Sequence, residues 1–68
     1  MTLEYDSETD SMYVYIDEES EVKDSVEVDD DLVLDYDING KLVGIEIMKA
    51  KNIISQKILD EFVEEDSN

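Results

Sequence analysis

Apolar and polar residues alternate most cleanly along Leu32-Val33-Leu34-Asp35-Tyr36-Asp37 and Leu42-Val43-Gly44-Ile45-Glu46-Ile47, two runs joined through Asn39-Gly40. A period of two marks strands with one buried face, and Asn-Gly between such runs is a strong hairpin signal because both residues tolerate positive φ. A two-residue turn at Asn39-Gly40 sets Ile38 opposite Lys41, Tyr36 opposite Val43, Leu34 opposite Ile45 and Leu32 opposite Ile47. One face is then apolar, while Asp35 with Gly44 and Val33 with Glu46 fall on the other, which is expected to be exposed. A competing type I turn over residues 37–40, closed by a glycine bulge, shifts the register by one and sets Leu34 against Gly44. The two-residue turn is preferred because every one of its pairs agrees with a single buried face.

A second alternating pair opens the chain. Leu3-Glu4-Tyr5-Asp6 and Ser11-Met12-Tyr13-Val14-Tyr15-Ile16, separated by Ser7-Glu8-Thr9-Asp10, predict another hairpin. Between the two hairpins, residues 17–21 form an acidic loop. Val22, Val26 and Val28 share a parity that fits a short irregular edge strand, and Lys23 and Asp24 suit an edge. Asp29-Asp30-Asp31 marks the turn that follows. Near the carboxyl end, Ser55 can cap a helix, with Ile54 packing on Leu59 as a hydrophobic staple. Ile58, Leu59, Phe62 and Val63 recur on one side, predicting a helix over about residues 53–63. Glu64, Glu65 and Asp66 crowd the negative end of its dipole, so residues 64–68 are expected to be a mobile acidic tail. The expected fold is α+β: one domain over residues 1–63, with a four- to five-stranded antiparallel sheet built from two hairpins and the helix packed on its apolar face.

Length and composition narrow the function. Sixty-eight residues lie near the lower limit for a self-sufficient core, and the chain has neither cysteine nor histidine. Disulfides and the usual zinc ligands are therefore excluded as staples, leaving dimerisation as the expected one. Lys and Arg total 5 against 21 Asp and Glu, for a net charge of −16. No basic patch exists to displace counterions, so neither nucleic acid nor an anionic membrane is an expected partner. No apolar run approaches the roughly 20 residues of a membrane span, and a cytoplasmic location is expected. A field of this sign draws in basic proteins or cations, although its plainest role is a solubilising surface.

Carboxylates are the only plentiful reactive groups. Asp35, Asp37 and Glu46 share the polar face of the central hairpin and are the candidate partner-binding residues. Paired carboxylates can serve as acid and base where burial separates their pKa values, but an exposed face without histidine, cysteine or arginine offers no grip on a substrate. An enzyme is not expected, nor is any cofactor. Asp6, Glu8 and Asp10 supply oxygens at alternate positions and are weak candidates for calcium or magnesium. The sixth and twelfth places of an EF-hand loop, occupied here by Ser11 and Asp17, do not fit the glycine and glutamate it needs.

Tyr5-Asp6, Asp10-Ser11-Met12-Tyr13-Val14, Val33-Leu34-Asp35-Tyr36-Asp37 and Asn39-Gly40-Lys41-Leu42-Val43-Gly44-Ile45-Glu46-Ile47 come in an order that resembles a family of short prokaryotic proteins catalogued as domain of unknown function 2283. The resemblance runs from about Leu3 to Ala50, and the helix lies beyond it. The positions it shares are Asp6, Asp10, Tyr13, Asp35, Tyr36, Asp37, Gly40, Gly44 and Glu46. The family has no assigned activity. Some members are encoded beside small toxin-like domains, and the resemblance therefore implies an antitoxin-like role. The expected function is an acidic interaction module that forms a homodimer and binds a basic protein partner; the alternative is a cation-responsive structural domain with a weak Ca or Mg site.

Overall fold

The computed structural model describes residues 1–62. Five strands, β1 (Thr2–Asp6), β2 (Ser11–Tyr15), β3 (Asp24–Asp29), β4 (Leu32–Tyr36) and β5 (Leu42–Ile47), precede a 3-10 turn (Ala50–Asn52) and one helix, α1 (Gln56–Phe62). All pairings are antiparallel, and the strands lie in the order β1-β2-β5-β4-β3. Each expected hairpin forms, and the two meet along β2 and β5. Val63 and the acidic tail expected over 64–68 lie outside the described residues. Among the described residues no helix is long and apolar enough to cross a membrane.

The central hairpin combines the two turn geometries weighed from its sequence. Gly40 takes φ +78° and Asn39 keeps a negative φ. The Gly40 amide donates to the Asp37 carbonyl (3.0 Å), and the Asp37 amide donates to the Lys41 carbonyl (2.9 Å). This is the glycine-bulge turn, and it replaces the expected Ile38–Lys41 and Tyr36–Val43 pairs with Tyr36 opposite Leu42. The physical reason lies in Asp37, whose Oδ1 accepts from the amides of both Asn39 and Lys41 at 2.9 Å and so holds the tighter turn. The ladder then shifts by one residue between Tyr36 and Asp35, Val43 being the extra residue, and this restores Leu34 opposite Ile45 and Leu32 opposite Ile47. The Val43 carbonyl is used rather than orphaned, accepting from Ile16 (2.9 Å) and Asp17 (3.1 Å).

On the apolar face the registers line up two rows across the strands. Tyr5, Met12, Ile47 and Leu32 form one; Leu3, Val14, Ile45, Leu34 and Val26 form the other. The first is the core: Tyr5, Met12 and Ile47 are buried together with Ala50 and Leu59. Ser55 caps α1, its Oγ accepting from the Ile58 amide (3.3 Å), and Ile54 packs on the cluster that holds Leu59. The helix starts later than expected because the amides of Ile53 and Ile54 both donate to the Ala50 carbonyl, spending those residues on the preceding turn. Its apolar stripe is also narrower in use. Leu59 is fully buried, whereas Ile58 and Phe62 stay 40% and 37% exposed; α1 meets the sheet chiefly at β1. The edge strand β3 is exposed along its whole length. Val22 lies outside it, and Val28 sits at its bulge between Glu27 and Asp29.

Candidate functional site

The opposite face carries the polar chemistry, again in two rows: Glu4, Tyr13, Glu46, Val33 and Glu27, then Thr2, Tyr15, Gly44, Asp35 and Ser25. Asp35, expected to be exposed, is only 1% exposed. Two neighbours bury it. Across β5, the ring of Tyr13 leans over Gly44 and its hydroxyl donates to Asp35 Oδ2 at 2.6 Å; from β3, the Ser25 hydroxyl donates to Oδ1 at 2.6 Å. Gly44 makes the first contact achievable, because a methyl at that position would overlap the Tyr13 hydroxyl and ring. The Tyr13 ring also meets that of Tyr15 edge to face, centroids 4.4 Å apart, and the Tyr15 hydroxyl donates to Glu4 (3.1 Å).

Glu46, half-buried, completes the arrangement through a carboxyl–carboxyl hydrogen bond with Asp35. That bond, with desolvation and the Asp35 charge added, pushes the Glu46 pKa up from 4.5 to about 7. Burial works to raise Asp35, but hydrogen bonds from Glu46, Ser25 and Tyr13 outweigh it and hold its carboxyl below the usual range. Below about pH 7 the pair therefore keeps one proton, carried on Glu46 and donated to an ionised Asp35. Burial and the bond to Asp35 raise the Tyr13 hydroxyl, which stays protonated as a donor.

The other sequence candidates are separate from this network. Asp37 sits at the hairpin turn with its Oδ1 spent on backbone amides. Asp6, Glu8 and Asp10 do not converge on a common point: Asp6 accepts from the Glu8 amide (2.9 Å), while Asp10, at φ +56°, accepts from the Tyr5 hydroxyl (2.6 Å) and the Lys51 amide (3.2 Å). Its carbonyl also accepts from the Ala50 amide (2.9 Å). Asp10 thus fastens the first hairpin to the 3-10 turn. Among the described residues no three acidic side chains are grouped to hold a metal ion.

Around the β1–β2 turn lies an open groove of about 710 Å³, lined by Glu4, Asp6, Glu8, Tyr13 and Glu46, by Tyr5, Met12 and Ile47 of the apolar face, and by no lysine. Tyr13 and Ser25 were not candidates from sequence. The available signal was Gly44 inside a strand, directly opposite Asp35, which marks a place where something must approach the backbone closely.

A family described as protein of unknown function (DUF2283) matches residues 2–51, from β1 into the 3-10 turn. An uncharacterized protein of Methanocaldococcus jannaschii, MJ0789, is 38% identical over 53 residues, 78% of this chain and 44% of that protein. The chain thus spans less than half the length of this relative. No solved structure matches it. Asp10, Tyr13, Ser25, Asp35, Gly44 and Glu46 all fall inside the family match, and the chain belongs to the DUF2283 family of proteins of unknown function.

Proposed function

We propose that the chain is an acidic protein-interaction module whose polar sheet face receives a basic protein partner. The observation that carries this reading is the groove, whose lining holds the carboxylates of Glu4, Asp6 and Glu8 together with Tyr13 and Glu46 and not a single basic residue. Carboxylates beside an aromatic edge suit an arginine or lysine side chain, the guanidinium being the better match because it stacks and takes two carboxylate oxygens at once. Glu46 touches the groove directly, Asp35 acts through it as a positioning residue, and Asp37 stands apart at the turn. An antitoxin-like protein that neutralises a cationic partner is one instance of such a module. The reading is non-catalytic. Both Asp35 oxygens accept from protein hydroxyls, so the carboxyl pair serves as a closed structural element rather than an acid–base couple.

The test is an NMR titration with an arginine-rich peptide at low and at physiological salt. Saturable shifts centred on Glu4, Glu8, Tyr13 and Glu46 that persist at the higher salt are expected, as is their loss in the double variant Glu4→Lys and Glu8→Lys. Shifts spread over all acidic loops and abolished by salt would mean that the charge only solubilises.

A further inference from the structure

We infer that the groove is gated by a proton: a basic side chain seated against Glu46 displaces the proton that Glu46 shares with buried Asp35, so that binding a basic partner releases a proton. This gating rests on the reading of the groove as a basic-partner site and adds its regulation. Val33 lies opposite Glu46 and Asp35 opposite Gly44, which makes the two carboxyl groups diagonal neighbours on one face of adjacent strands, a spacing that long side chains bridge. Asp35 is 1% exposed, and both its oxygens accept from hydroxyl groups, those of Tyr13 and Ser25. Glu46 is half-buried and lines the groove together with Tyr13. One carboxyl group of the pair is thus sealed within the sheet, and the other is open to whatever enters.

Two carboxyl groups so close ionise together only at a cost that a proton or a cation removes. The titratable groups on the same face supply no cation: Asp35 on β4, Tyr13 and Tyr15 on β2, Glu4 and Asp6 on β1, and Glu27 on β3 are all acidic or neutral. No lysine lines the groove, and Leu59 of α1 packs in the core on the opposite face. The proton therefore does the work of the missing cation, and the bond to Asp35 keeps it on Glu46 up to about pH 7. An arginine or lysine charge beside Glu46 makes the proton redundant. The coupling is reciprocal: a partner lowers the affinity of the pair for its proton by the same factor by which the proton weakens the partner.

The experiment is isothermal titration calorimetry of the full chain with an acetylated, amidated arginine-rich peptide at pH 6 and pH 8. Ionic strength is held constant, and each pH is run in two buffers of different ionisation enthalpy. A group that titrates near 7 and is ionised in the complex makes binding about ten-fold tighter at pH 8 than at pH 6. The buffer dependence should report release of most of one proton at pH 6 and little at pH 8. Glu46→Gln should bind equally at the two pH values, with the affinity of the wild type at pH 6. Should that variant fail to fold, the proton count on the wild type decides alone. Equal wild-type affinities without proton release, or a pH dependence that survives in Glu46→Gln, overturn the gating and leave the basic-partner reading standing. No binding at either pH removes both.

Discussion

Replacing Glu46 by glutamine tests the proton-sharing pair directly. Glutamine keeps the length of the side chain and offers Asp35 an N–H donor at every pH, so Glu46→Gln imitates the protonated state permanently. In the folded chain Glu46 titrates near 7 instead of 4.5. A group whose folded pKa is raised contributes stability that is full below its unfolded pKa and is lost as pH rises through the folded one. The Glu46 contribution is thus present below about 4.5 and gone above about 7. Asp35, whose pKa is depressed, works in the opposite sense: its contribution holds above the ordinary aspartate range and disappears in stronger acid. Between 4.5 and 7 the linkage amounts to ~3.4 kcal/mol if taken in full; Glu46 is half-exposed, and solvent screening reduces this to ~1–2 kcal/mol. The window is unusually clean because the chain has no histidine or cysteine. Urea denaturation at pH 5.5, 6.5, 7.5 and 8.5 should show wild-type stability falling by that amount. Glu46→Gln should match the wild type at pH 5.5 and exceed it at pH 8.5, a Tm advantage of about 5–10 °C. A wild-type curve flat across these pH values, or a variant that keeps the wild-type slope, refutes the proton-sharing account.

Gly44→Ala should destabilise by about 2–3 kcal/mol, since its methyl displaces the Tyr13 ring and deprives buried Asp35 of a donor; Tyr13→Phe in the same background should then add little, as read by double-mutant denaturation. Asp10→Ala should cost about 2 kcal/mol by chemical denaturation, and Asp10→Asn clearly less, because asparagine tolerates φ +56° and keeps an acceptor for the Tyr5 hydroxyl; equal losses would show that the hydrogen bonds of Asp10 matter little there.

Much of the fold was legible because alternation along 32–47 fixes which side chains share a face, and only one register satisfied both strands. The turn was misjudged for a reason that operates one residue away. Asn39-Gly40 signals a two-residue turn, but the carboxylate of Asp37 captures two amides and closes the tighter loop, and a bulge at Val43 absorbs the difference. Asp35 was placed on the correct face with the wrong exposure. Local alternation assigns sides; it says nothing of a tyrosine two strands away that closes over the position. The pairing of β2 with β5, which brings Tyr13 there, joins residues far apart in sequence, Tyr13 with Glu46 among them, and leaves no local trace. The helix was begun three residues too early because an apolar stripe says nothing of the 3-10 turn, whose Ala50 carbonyl takes the amides of Ile53 and Ile54.

The sheet order makes the ladder between β2 and β5 a seam joining two hairpin units, each closed by its own short connection and each able to form early. Met12 opposite Ile47, Tyr13 opposite Glu46, Val14 opposite Ile45 and Tyr15 opposite Gly44 are the only strand pairs along it. The bond from Tyr13 to Asp35 leaps over β5 and sews the amino-terminal hairpin to β4 as well. That stitch joins the shared core row and the Asp10 clamp in coupling the two units. With it intact, amide hydrogen exchange should report a single global opening; with it cut, β1 and β2 should exchange as a separate foldon while β3, β4 and β5 remain protected.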